Sequence, residues 1–193
     1  MGLIIRVGQF LIIGLLIYLA WRAFRSRRGG GAFTPGAPPE IGYLPDDDAV
    51  VRTLATWHQA QWGKLTGRSV PERILEFADQ RASRDVPLTR IAMVDGELAG
   101  NASLLEDDMD THADLGPWLA SVYVHPRFRR RGVATALCGA IMDDARRLGF
   151  RHMYLYTPDQ EGLYARLGWE VVSHEEYHGE MVTLMEYGFD REN

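Results

Sequence analysis

The chain has 193 residues, 46% hydrophobic and 24% charged, with a formal charge of −5, which is room for one ordinary domain plus an appendage. A single cysteine, Cys138, excludes a disulfide framework and a cysteine-rich metal centre, and no metal is expected. Charge is segregated: five of the 21 basic residues and none of the 26 acidic ones precede Glu40, so the first segment stands at +5 and the body at −10. An acidic body lacks the broad basic face that binds phosphate backbones, so nucleic acid is not an expected partner.

The chain opens on "MGLIIRVGQFLIIGLLIYLAWRAF". Its uncharged stretch from Val7 to Trp21 is about 15 residues, short of the roughly 20 of a spanning helix. Counting Met1 to Ile5 and letting Arg6 snorkel to the headgroups completes a span, and Tyr18 and Trp21 sit where an interfacial aromatic belt belongs. A buried helix would leave one face polar, and this one is apolar all round. A cleaved signal peptide would carry its charges before the apolar run, and here the arginines follow it. Arg22, Arg25, Arg27 and Arg28 predict that the following domain stays in the cytoplasm. The expectation is a single-pass anchor over residues 1–28, touching lipid through 1–24, then a Gly/Pro tether over 29–39 and a domain over 40–193.

Ile41–Leu44 reads as a short first strand. "DDDAVVRTLATWHQAQW" follows as a helix with acids at its start and Val50, Val51, Leu54 and Trp57 at helical spacing. Ser69 and Glu72 form a capping-box pattern, and Ile74, Leu75 and Ala78 are the expected buried stripe of a second helix. "TRIAMVDGELAGNASLL" is two strands joined by an Asp95-Gly96 turn, and "PWLASVYV" is another strand. In "GVATALCGAIMDDARRLGF" Ala134, Leu137, Cys138, Ile141, Ala145 and Leu148 make one apolar helical face, Cys138 being plain core, and Gly149 closes it. A strand "HMYLYT", a short helix "DQEGLYARL" and strands "WEVVSHE" and "EMVTLMEYGF" complete the order β-α-α-β-β-β-α-β-α-β-β. That order predicts an α+β fold with a mixed sheet flanked by helices.

Arg127, Arg129, Arg130 and Arg131 fill four of five positions between a strand and the strongest helix of the chain. A helix N-terminus presents unpaired N–H groups and the positive end of its dipole, and successive amides in a tight turn form a nest for an anion. Gly132 lets the backbone come close and Ala134 keeps the first turn free of bulk. A bound pyrophosphate would offset the mutual repulsion of the arginines; the alternative is a solvated basic loop.

Arg129-x-x-Gly132-x-Ala134 is similar to the R/Q-x-x-G-x-G/A signature of the GCN5-related N-acetyltransferases, and "ASVYVHPRFR" and "LYARLGWEVV" resemble two further pieces of that family, over residues 41 to 189. The resemblance implies a mostly antiparallel, splayed sheet and acetyl-CoA as co-substrate, with its pyrophosphate on the amides of Arg130, Arg131, Gly132, Val133, Ala134 and Thr135. Its pantetheine arm would then lie along the strand Val122-Tyr123-Val124 as an added strand. The Val122 amide would hold the developing oxyanion. Tyr164 occupies the position of the tyrosine that protonates the leaving thiolate in many relatives. Glu106 and Asp114, in "LLEDDMDTHADLGPW", are the expected bases, and the acidity of that stretch favours a cationic amine acceptor such as a polyamine, an aminoglycoside or a lysine. "YTPDQEG" lacks the asparagine that many relatives use to hold the pantetheine, and the anchor lies outside the family pattern. A membrane-tethered CoA-binding sensor without turnover is the competing reading, and a homodimer is left open.

Overall fold

The structure, a computed structural model, describes residues 38–189. The predicted anchor and all but the end of the tether lie outside the described residues; among those described, no helix is long and apolar enough to cross a membrane. The elements are β1 (Glu40–Tyr43), α1 (Asp48–Thr66), α2 (Val70–Ala78), β2 (Leu88–Val94), β3 (Glu97–Leu105), β4 (Trp118–Val124), α3 (Val133–Arg147), β5 (His152–Thr157), α4 (Glu161–Ala165), β6 (Glu170–Tyr177) and β7 (Glu180–Gly188). This is the predicted order, with two single 3₁₀ turns added at Asp110–His112 and Pro126–Phe128.

Local chemistry sets the boundaries. Asp47 caps α1 by accepting from the Ala49 and Val50 amides at 2.8 and 3.4 Å, and Gly67 ends it at φ 66°. The Glu72 carboxylate reaches back to the Ser69 amide at 2.7 Å, closing the capping box in front of α2. Asp95 and Gly96, both at positive φ, turn β2 into β3.

The seven strands run in the order β1-β2-β3-β4-β5-β7-β6. Every pairing is antiparallel except β4 with β5, which are parallel and meet in register only at Trp118 and Tyr154. Past that pair the two strands diverge, and the backbone of β4 from Leu119 onward has no strand on its β5 side. On its other side, register with β3 slips between Asn101 and Ser103, where Ser121 takes φ 56° in a β-bulge.

Alternation along β2 separates the two faces. Leu88, Ala92 and Val94 join Leu137, Cys138, Ile141 and Ala145 of α3 in the larger core. Ile91 and Met93 face the other way, toward Val51, Leu54 and Phe77 of the α1–α2 pair. Asp144, 2% exposed, ties α3 to the first two strands: it accepts from Arg90 Nε and Nη2 at 2.6 and 3.0 Å and from the Tyr43 hydroxyl at 2.8 Å. Burial alone would raise its carboxyl, but these donors together with Arg147 hold it below the ordinary range.

One expectation needs correcting here. The inward stripe of α2 is Arg73 and Phe77, flanked by the partly buried Ile74, whereas Leu75 is 68% exposed. Positions 73 and 77 lie one turn apart on one face, and position 75 lies on the opposite side.

Candidate active site

The diverging strands open a cleft of ≈1620 Å³ that reaches from the N-terminus of α3 to the α1–α2 pair. Its α3 flank is made mostly of backbone. Gly132 caps α3 in the left-handed region at φ 76°, preceded by Arg130 at φ 60°. The amides of Val133, Ala134 and Thr135 head the helix with no carbonyl before them to bond, and all three residues line the cleft. A Cβ built on Gly132 would meet nothing within 4 Å, so the space before the helix is open. Alternating left-handed residues ahead of a fifteen-residue helix make a nest with a dipole behind it, suited to an anion.

The four arginines share out differently. Arg127 pairs with Glu97 at 3.0 Å, and Arg129 donates from Nε to the Val124 carbonyl at 3.0 Å, bracing the end of β4. Arg129 and Arg130 line the cleft; Arg131 does not. Val122, Tyr123 and Val124 line it along β4, and Tyr164 lines it from α4. Tyr164 is 7% exposed and meets Trp169 edge-on at 6.2 Å; burial pushes its phenol well above the ordinary value, so it stays protonated at any working pH.

The α1–α2 flank is made of side chains from four separate segments. His58, 1% exposed, contacts Trp62 and Phe77 edge-on, both at 4.9 Å. Its Nε2 lies 3.0 Å from Asn101 Oδ1, and Asn101 Nδ2 donates to the Ser121 carbonyl at 3.1 Å. Because the Asn101 amide spends its N–H on a carbonyl, its oxygen faces the imidazole, and His58 Nε2 must carry the proton. Burial lowers the imidazole to about 4, so His58 is neutral. A helix on one flank thus braces the bulge of the strand that forms the other.

Glu106 and Asp114, the sequence candidates for a base, are exposed, and neither lines the cleft. Asp108 does. Met109 beside it is 2% exposed, packed with Trp118, Tyr177 and Leu184, and anchors the loop so that Asp108 is turned inward. Although its surface is only partly covered, protein surrounds Asp108 closely enough that burial raises its carboxyl to about 6, against the opposing pull of Arg73 and Arg68. Among the described residues no group of three or more His, Cys, Asp or Glu side chains is placed to hold a metal ion.

Splayed sheet, bulged fourth strand and anion nest define an acetyltransferase class of α+β fold. A profile of the acetyltransferase (GNAT) family matches residues 51–169, and the chain belongs to that family. Among solved structures it is similar to yncA of Salmonella typhimurium, whose structure holds its cofactor acetyl-CoA (TM-score 0.62, 18% identity, 81% of this chain and 97% of that one). It is similar also to an aminoglycoside 6'-acetyltransferase type Ii (TM-score 0.63, 18% identity, 79% and 99%). A third is the ribosomal-protein-alanine N-acetyltransferase of Brucella melitensis (TM-score 0.63, 15% identity, 78% and 99%). At these identities the likeness is one of fold.

Proposed function

We propose that this protein is an N-acetyltransferase that moves the acetyl group of acetyl-CoA to a primary amine by direct attack in a ternary complex. The observation that carries the reading is the parting of β4 from β5 after a single residue pair, which leaves β4 backbone free to receive a ligand as an extra strand and leads it into the nest at α3. The pyrophosphate belongs on the amides of Arg130 and of Gly132 to Thr135, and the pantetheine arm along Val122 to Val124. That yncA was solved with its cofactor acetyl-CoA supports acetyl-CoA as the co-substrate. The open cleft favours turnover over a CoA-binding sensor, since an acceptor has room to enter.

Asp108 is the base in this mechanism, replacing Glu106 and Asp114. At its ordinary value near 3.9 a carboxylate is a poor base for an ammonium ion; raised to about 6 it is a roughly hundredfold better one and still ionised at neutral pH. Asp108 takes a proton from the ammonium ion and passes it to solvent; the neutral amine then attacks the thioester carbon and gives its second proton to Asp108. The carbonyl oxygen takes the negative charge, held by the Val122 amide. Collapse breaks the C–S bond, and the Tyr164 hydroxyl protonates the departing sulfur. Amide and free CoA leave, and the proton on Asp108 returns to the tyrosinate through solvent.

Thiol release from acetyl-CoA across a panel of primary amines, using the domain from residue 38 and the full chain, tests this directly. Acetyl-CoA binding without amine-dependent release would instead establish the sensor reading. The anchor is part of the proposal: residues 1–28 hold the chain in the membrane with the domain in the cytoplasm, where acetyl-CoA is. Full-length protein should sediment with membranes, resist high salt and yield to detergent, and protease outside spheroplasts should spare the domain. Digestion from outside would overturn the orientation.

A further inference from the structure

Two unlike charges stand apart in the α1–α2 flank of the cleft. Arg73, 9% exposed, donates from Nη1 to Glu76 at 2.9 Å and from Nη2 to Thr66 Oγ1 at 3.0 Å, while its Nε has no partner. Arg68 pairs with the same Glu76. Two guanidinium groups therefore share one carboxylate, and this wall of the cleft keeps an excess positive charge. On the same flank, Asp108 makes no hydrogen bond or ion pair among the described residues; the arginines reach it only through space, and burial outweighs them. A cation and an anion withdrawn from water in one cleft, and not spent on each other, are each costly as they stand.

Resting on the acetyltransferase reading, we propose that the acceptor is an amino-carboxylate: a primary amine bearing a carboxylate a few bonds from its nitrogen, the amine toward Asp108 and the carboxylate toward Arg73 and Arg68. A ligand of both signs compensates both charges at once. An oligocation such as a polyamine or aminoglycoside would satisfy Asp108, and Asp107 and Asp110 that also line the cleft, but would leave the unpartnered Nε of the buried Arg73 uncompensated. That narrows the cationic acceptor expected from the acidic loop alone, because the loop's count of acids did not include the arginines facing it. Trp62 and Phe77, both lining the cleft beside His58, offer apolar contact to the carbon skeleton between the two charged ends. Arg is suited to this task, since its fork meets a carboxylate through two donors.

The carboxylate has two sources, the α-carboxylate of a free amino acid or the side chain of an acidic residue at a peptide's amino terminus, and paired substrates separate them. Alanine against alaninamide reads the first; a peptide beginning with Asp against one beginning with Asn reads the second; spermidine stands for the oligocations. We expect at least one acid to exceed its amide about tenfold in kcat/KM, and Arg73→Gln to bring that ratio near unity. Loss of a merely structural arginine would lower both members of a pair alike and leave the ratio intact. Should Arg73→Gln fold poorly, Arg68→Gln, whose side chain is 53% exposed, should reduce the same ratio at least threefold. Equal rates within both pairs, a preference for spermidine over both acids, or a ratio unmoved by the variants would overturn the proposal. Calorimetry with CoA present, comparing N-acetylaspartate with N-acetylasparagine amide, reads the same preference without turnover, and equal affinities there overturn it too. Absence of thiol release with every amine would instead bring down the acetyltransferase reading, so the two failures are distinct.

Discussion

The two flanks of the cleft are built from different materials. The α3 flank recognises its ligand through main-chain groups: the free edge of β4, the left-handed turn at Arg130 and Gly132, and the first amides of α3. The α1–α2 flank works through side chains delivered by α1, α2, the loop after β3 and the far strands, and Asp108 there is paired with neither Arg73 nor Arg68, which share Glu76. A flank of backbone suits an invariant ligand, because any sequence that keeps the turn keeps the site. A flank of side chains suits a ligand that sets specificity. Substitutions on the α1–α2 side should accordingly act on turnover and selectivity, and those in the turn before α3 on co-substrate affinity.

The largest effect should come from Asp108. Asp108→Asn removes the proton acceptor, and kcat should fall by about 10²–10⁴-fold with acetyl-CoA affinity little changed. The wild-type kcat/KM should show an acid limb near pH 6, where Asp108 becomes protonated, and the variant should lose it. The sign for stability runs the other way. A carboxyl whose folded value is raised binds its proton more tightly in the native state, so stability falls as pH rises through about 6. Asp108→Asn should therefore raise the unfolding midpoint at pH 7 while removing activity. A variant that loses both stability and activity would make Asp108 a structural residue and blur the contrast between flanks.

His58 is where the flanks meet, since α1 braces the bulge of β4 through Asn101. Its imidazole is held neutral, with a folded value of about 4 against 6.5 in the open chain. The unfolded state then binds more protons between those limits, so this stabilisation is complete above pH 6.5 and is lost as pH falls toward 4, about 3 kcal/mol in all. Urea unfolding at pH 6.5 and 4.5 should show the loss, and His58→Gln, which keeps a donor for Asn101, should remove most of that pH dependence. An identical slope in wild type and variant would assign acid lability elsewhere.

Much of the fold was legible from sequence: the capping box at Ser69, the Asp95-Gly96 turn and the apolar face of α3 are local signals, each confined to a few residues. The α3 flank was legible for the same reason, its strand, turn and helix start being contiguous. The α1–α2 flank was not. Leu75 read as core and Arg73 was not singled out, because the nine residues of α2 are too few to fix which face turns inward until Phe77 finds its pocket. In the acidic stretch Glu106 and Asp114 read as the bases and Asp108 was passed over, since what holds Asp108 at the cleft is the burial of Met109 against strands far along the chain.

Tyr164 gives the next effect in size. Tyr164→Phe keeps the ring against Trp169 and removes only the hydroxyl, so turnover should fall roughly 10²-fold while acetyl-CoA affinity and the unfolding midpoint barely move. Unchanged turnover would hand the proton to water and leave the α3 flank with binding alone.

The smallest expected effect is the most direct check on a backbone-built flank, and it needs a matched pair. Gly132 and Gly149 stand at the two ends of α3, at φ 76° and 84°, and a Cβ at either meets nothing within 4 Å. Valine at either position carries the same kind of left-handed strain, about 1–3 kcal/mol of stability. Only Gly132 faces the cleft. There the added methyl groups stand where an anion must approach the helix amides, so Gly132→Val should also weaken acetyl-CoA binding by about 2 kcal/mol, roughly thirtyfold in Kd, the scale of one lost charge-assisted contact. Gly149→Val should lose stability and keep its affinity. Calorimetry on both variants, each checked for folding by circular dichroism, separates the two costs. If the pair binds acetyl-CoA alike, the arginine-rich turn is a solvated loop and the nest at α3 is not where the co-substrate's phosphates rest.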